Sequence, residues 1–213
     1  MLASVIPSLS LAALVAGATV SVTPHEQYSS SVGVLGCKIN TNRVAYWPMA
    51  VDCNSLCIKL TYEDRSLNLL RIDQSGGAYD ISYDAWNQLV FGQPATVEPH
   101  TGGGYPMTYE TVDMSQCAGL LYTGGAELPL SAANSMNYVS SCLSQTSSWV
   151  TSNYVLYNIF TPTCTYGIDE TCTLDMAVSN QPTCPHQLGL TTPLTTDPVY
   201  NVQYGTGQLV LAQ

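Results

Sequence analysis

The sequence predicts a β-rich α+β fold with short helices, closed by a disulfide-stapled, partly helical C-terminal extension. Three observations predict it. Ile58, Leu60 and Tyr62 alternate with Lys59 and Thr61, the period of a strand with one buried face. Helical signals are confined to three short stretches, one after Ser82, one after Ser131 and one over "SWVTSNYVLYNIF". Eight cysteines, Cys37, Cys53, Cys57, Cys117, Cys142, Cys164, Cys172 and Cys184, all follow an apolar leader. An even number in an exported chain argues for four disulfides, with 105 pairings open.

Taken in order, Leu9 to Ala18 is apolar but too short to span a bilayer, and Ala16-Gly17-Ala18 offers the small residues of a cleavage site. Residues 1–18 therefore read as a secretory signal and the protein as extracellular. Residues 19–36 are rich in Ser, Thr and Gly without a sustained period, and read as a flexible N-terminal arm. Residues 37–117 read as a strand-rich region. Within it, 58–62 is one strand, Glu63-Asp64 a turn and "SLNLLRI" a second, more buried strand. Ser82 is positioned to cap a helix over 83–90, with Asp84 in its first turn. "GQPATVEPHTGGGYP" is a Gly/Pro loop, and "MTYETVDM" a strand running on to Cys117.

Residues 118–213 form the extension. Ala132, Met136, Val139 and Leu143 recur at helical spacing, and "SWVTSNYVLYNIF" favours a helix over a strand. From Thr161 the text is dominated by Thr, Pro, Cys and Gly, so stapled loops are expected.

Charge excludes several functions. All five basic residues lie between Lys38 and Arg71, and the chain after Arg71 carries acidic residues only, giving a net charge of −10. Nucleic acid and anionic membranes need a concentrated basic surface, so neither is an expected partner. The cysteine spacings do not form the paired C-x2-C pattern of a zinc site, so no metal and no cofactor are expected. What remains is a neutral ligand, a protein partner or no ligand.

The stretch "IKLTYEDRSLNLLRIDQSGGAYDISYDAWNQL" resembles the signature of the double-psi β-barrel superfamily, which includes expansins, barwin-like proteins, rare lipoprotein A and the family 45 glycoside hydrolases. Asp73 matches the first Asp of that signature and Asp80-Ile81-Ser82 the second element. "YETVDMSQC" is similar to the last barrel strand and "VAYWP", residues 44–48, to the first. The resemblance implies a six-stranded double-psi barrel, with the extension packed on it as in secreted fungal proteins. It also implies a choice of functions, from a monomer that binds cell-wall polysaccharide or an extracellular protein without hydrolysis, as an effector or elicitor, to polysaccharide cleavage, or to a proteinase inhibitor or toxin. One departure bears on that choice: where the family 45 hydrolases place an aspartate base after the Tyr-Trp pair, this chain has Pro48. Asp52 is the nearest carboxylate to replace it.

For catalysis the candidates are Asp73 and Asp80. An inverting glycosidase needs two carboxyl groups separated by about 6.5 to 9.5 Å, one to protonate the leaving oxygen and one to activate water. The competing reading of Asp73 is a carboxylate bonded to the N–H groups of the Gly76-Gly77 turn, and of Asp80 a corner residue beside the capping Ser82. For ligand binding the candidates are Tyr46, Trp47, Asp73, Tyr79 and Tyr83, with Tyr46, Trp47 and Tyr79 expected to be exposed and Trp86 expected in the core. His25, His100 and His186 sit in loop-like contexts, and no Gly-x-Ser-x-Gly elbow accompanies them.

Overall fold

The computed structural model describes residues 17–213, so the predicted signal lies outside the described residues except for its last two positions. Six strands close a barrel: β1 (Ala18–His25), β2 (Val44–Trp47), β3 (Cys57–Tyr62), β4 (Arg65–Gln74), β5 (Tyr79–Ser82) and β6 (Tyr105–Thr111), in the order β1-β5-β2-β4-β3-β6. The pairs β1/β5 and β2/β4 are parallel and the rest antiparallel. This is the expected six-stranded barrel of a β-rich α+β fold.

Two boundaries need correction. Residues 19–36 are not a flexible arm, because β1 is a full barrel strand, paired with β5 on one side and β6 on the other. Its period of two was present, with Val22 inside and Ser21 and Thr23 turned away, but small hydroxyl residues carry little apolar contrast. Tyr28, Val34 and Leu35, further along the same segment, are buried. The last barrel strand stops at Thr111 rather than running on to Cys117, which sits in a 3-10 turn over Met114–Leu120 capped by Asp113.

The helix α1 (Tyr83–Phe91) forms where predicted and ends at Gly92, whose φ of 85° supplies the left-handed cap. Ser82 occupies the capping position but its hydroxyl makes no capping bond, and it is left buried without a partner. Asp84 instead turns to Arg43, at 2.9 Å.

In the extension, β7 (Leu128–Ser131), β8 (Tyr154–Ile159) and β9 (Gly167–Cys172) form a second sheet, and β10 (Tyr200–Val202) and β11 (Leu209–Leu211) a hairpin. The helix α2 (Met136–Leu143) begins four residues later than the apolar spacing predicts, because Leu128 to Ser131 are taken up by β7. The expected helix at 148–160 is corrected to the single turn α3 (Trp149–Ser152) followed by β8. There, parallel pairing with β7 outweighs the local helical spacing.

All eight cysteines are bonded: Cys37–Cys164, Cys53–Cys142, Cys57–Cys117 and Cys172–Cys184. The first two tie residues before β2 and β3 to the extension. The apolar residues divide accordingly. Trp47, Ile58, Leu60, Leu69, Ile81 and Trp86 fill the barrel. Val44, Tyr46, Leu70 and Ile72, on its outer wall, pack in one cluster with Leu130 and Leu156 of the extension. Where a small barrel would meet water, this one meets a second sheet.

Candidate functional site

Strand register brings the two candidate carboxylates into one row across the outer wall. Asp80 pairs with Thr23 on one side and Tyr46 on the other, and Tyr46 pairs in turn with Asp73. A bulge between Ala45 and Tyr46 sets this register by leaving Ile72 as the extra residue. The two aspartates thus stand two strand spacings apart, roughly 9.5 Å between Cα atoms, with Tyr46 between them.

Asp73 is only 8% exposed. Its Oδ1 accepts the N–H groups of Ser31 and Gln74, each at 2.8 Å, and its Oδ2 accepts the Ser29 hydroxyl. The turn that was expected to bond it does not reach it, for the Gly77 N–H points to Ser75 instead. Asp73 therefore fastens the segment after β1 to the end of β4. Asp80 is half-buried and accepts the Thr23 hydroxyl. Asp52, the carboxylate nearest Pro48 in sequence, accepts the N–H groups of Asn54 and Ser55 and pairs with the buried Arg71 at 2.6 Å. Burial raises the Asp52 carboxyl, but those N–H groups and the Arg71 guanidinium outweigh it and hold the group below its usual value.

The aromatic candidates separate. Tyr46 and Trp47, expected at the surface, are 3% and 1% exposed. Their strand is central, so one face looks into the barrel and the other is covered by the extension. Tyr46 lies 4.6 Å from the His25 ring, and burial, then the Asp73 carboxylate, push its phenol far above the usual range. Trp47 is held edge-on by Tyr79 at 5.2 Å and Tyr109 at 4.5 Å. Tyr79 stays half-buried. Tyr83 is buried at the other end of the barrel and donates to the His100 carbonyl. Trp86 is fully buried, as expected.

The open surface lies beside the row rather than on it. A cleft of about 520 Å³ is bounded by Thr23 to Gln27, by Gly102 and Gly103, and by Tyr204. The Tyr204 hydroxyl donates to the Gly102 carbonyl and accepts the Gly102 N–H, both at 2.7 Å. Its backbone N–H donates to Glu26 and its ring stands 5.0 Å from Tyr83. Gly102 is required here, since a Cβ at that position would lie 2.8 Å from the Trp86 ring. His25 and Tyr204 were not legible as site residues. The one lies in a segment that reads as a loose arm, and the other is a tyrosine in a loop-like tail, joined to the barrel only by the fold.

No cation is left free at this surface. Lys38 pairs with Asp169, Arg43 with Asp84, Lys59 with Glu110, Arg65 with Glu63 and Arg71 with Asp52, at 2.6 to 3.5 Å. Among the described residues no cluster of three or more His, Cys, Asp or Glu has the arrangement of a metal site. Likewise no described helix is long and apolar enough to cross a membrane.

A family model for cerato-platanin matches residues 12–120, the barrel and the turn that follows it. Among solved structures, cerato-platanin 3 from M. perniciosa is 14% identical, with 47% of this chain and 98% of that chain covered and a TM-score of 0.35. The solution structure of the fungal elicitor cerato-platanin is 18% identical, with 46% and 96% covered and a TM-score of 0.30. No curated protein matches the chain. The matched family is not one of those named above for the sequence signature; what it has in common with them is the double-psi barrel.

Proposed function

The chain belongs to the cerato-platanin family, and from that premise we propose that it is a secreted, non-hydrolytic protein that binds neutral carbohydrate at a cell wall or host surface, with an elicitor-like role. The observation that carries this reading is the contrast between the acid pair and the cleft beside it. Asp73 is committed to three hydrogen bonds inside the wall, and Tyr46 occupies the space between the carboxylates where an attacking water and a sugar ring must enter. The neighbouring cleft, by contrast, is open and combines the Tyr204 and His25 rings with hydroxyl, amide and backbone groups suited to sugar edges. Its only charged member is Glu26, which is bonded to Tyr204, so an uncharged ligand fits it best.

Secretion is supported by the use of all eight cysteines in disulfides, which persist in oxidising compartments. The elicitor-like role rests on the relative described as a fungal elicitor.

The test pairs two assays on the oxidised mature protein. Titration with soluble oligosaccharides of chitin and β-glucan is expected to show saturable binding that His25→Ala weakens. Reducing-end release from the corresponding polymers is expected to stay at background. Release that disappears in a folded Asp73→Asn variant would establish a glycosidase and overturn the proposal.

A further inference from the structure

A second surface, whose three exposed tyrosines all lie outside the residues matched by the family, has the composition of a polysaccharide platform. Tyr122, Tyr166 and Tyr200 are 57%, 42% and 44% exposed. Tyr79, Tyr83 and Tyr105, by contrast, pack their rings on tryptophans. The three exposed rings line two clefts of about 450 and 420 Å³, the first holding Tyr122 and the second Tyr166. Tyr200 belongs to both, together with Pro198 and Val199, so the clefts are contiguous and Tyr200 stands at their junction. Neither shares a residue with the cleft beside Tyr204.

The rings are carried by anchored backbone. Tyr122 donates its N–H to the Lys38 carbonyl at 2.8 Å, the Tyr166 carbonyl accepts the Phe160 N–H at 2.8 Å, and Tyr200 is paired across the hairpin with Leu211. Such placement lowers the ordering cost of binding. Between the rings lie hydroxyl and amide groups, Thr41 and Asn42 in one cleft and Thr163 and Thr165 in the other.

Charge selects the occupant. Residues 198–213 contain no charged side chain in a molecule of net charge −10, and Asp197, which lines the first cleft, faces Lys38 at 3.7 Å. Acidic polymers and anionic lipid meet no free cation here. A neutral sugar chain offers what the surface lacks, C–H faces for the rings and hydroxyl edges for the threonines. We propose that Tyr122, Tyr200 and Tyr166 form an extended binding face for neutral, insoluble wall polysaccharide, separate from the barrel cleft. It rests on the wall-carbohydrate reading above for the ligand class, and on this geometry for the site.

The experiment measures partition of the oxidised protein onto insoluble chitin and β-glucan particles, alongside soluble-oligosaccharide titration, sedimentation velocity and thermal melting. Each single Tyr→Ala change is expected to lower the partition coefficient about threefold to tenfold. The triple Ala variant should fall to background. Tyr→Phe should stay within about twofold, since the ring and not the hydroxyl supplies the stacking face. Melting and soluble binding should not move. Polymer retention by the triple variant at the wild-type level overturns this inference alone, whereas absence of both soluble and polymer binding in the wild type overturns the wall-carbohydrate reading itself. A wild-type dimer that the triple variant loses would assign the face to a second copy of the chain, and overturns the inference as well.

Discussion

Replacing Asp73 separates a structural carboxylate from a catalytic one, and the structure sets the size of the effect. In Asp73→Ala, the Ser31 N–H and the Ser29 hydroxyl lose their acceptor at a site only 8% exposed, while the Gln74 N–H keeps its second acceptor, the Ser31 hydroxyl at 3.1 Å. Each unsatisfied buried donor costs about 1–3 kcal/mol. Because Ser31 lies near the surface and recovers some water, the expected total for the two donors is about 2–4 kcal/mol. For a chain of this length that corresponds to about 4–16 °C in Tm. Asp73→Asn is milder. Its carbonyl oxygen can keep both N–H bonds, and the Ser29 hydroxyl can rotate to accept from the new amide, so the loss of charge costs about 1–2 kcal/mol. Asp80→Ala removes one bond to the Thr23 hydroxyl at a half-exposed position and should cost no more than about 1 kcal/mol. The assay is thermal and urea denaturation of the three oxidised variants. An Asp73→Ala protein that melts within 2 °C of the wild type would refute the assignment of Asp73 as the fastening of the segment after β1.

Three further predictions follow from the same geometry. Since the folded Asp52 carboxyl is held below its usual value of 3.8, its contribution is present above that pH and is lost as pH falls through the folded value. Asp52→Asn should therefore lower Tm at pH 7 and flatten the acid decline below about pH 4, which melting across pH 2–7 measures. Gly167 has a φ of 123°, and a Cβ there would lie 2.5 Å from the Asn158 carbonyl oxygen and 2.7 Å from the Ile159 Cα; Gly167→Ala should cost more than about 3 kcal/mol or abolish folding. Among paired Cys→Ala variants, removal of Cys37–Cys164, at a sequence separation of 127, should destabilise more than removal of Cys172–Cys184, at 12. The chain-entropy estimates are about 5 and about 3 kcal/mol, and urea denaturation of the two variants gives the order.

Much of the barrel was legible because its central strands carry strong local signals. The alternation at Ile58 to Tyr62, the Glu63-Asp64 turn and the helix after Ser82 all appear where the pattern puts them. What escaped was set by partners distant in sequence. β1 is written in Ser, Thr and Val, and becomes a strand because β5 and β6 lie on either side of it. At the site, the number and type of groups were readable but their exposure was not. Tyr46 and Trp47 look like a sugar platform until the extension covers one face of their strand and the barrel closes over the other. The half-buried Tyr204 at the cleft and the exposed Tyr122, Tyr166 and Tyr200 beyond it lie in loops and short strands whose spacing has no period to read.

The covering of the outer wall by the extension also bears on where this chain can be divided. A fragment ending near residue 120 has the extent of the family match, yet it would leave Val44, Leu70 and Ile72 facing water and Cys37 and Cys53 without their partners. Such a fragment is expected to aggregate rather than to behave as a smaller working protein. In this chain the extension has turned a surface into an interior, so the barrel is no longer a part that can be traded on its own.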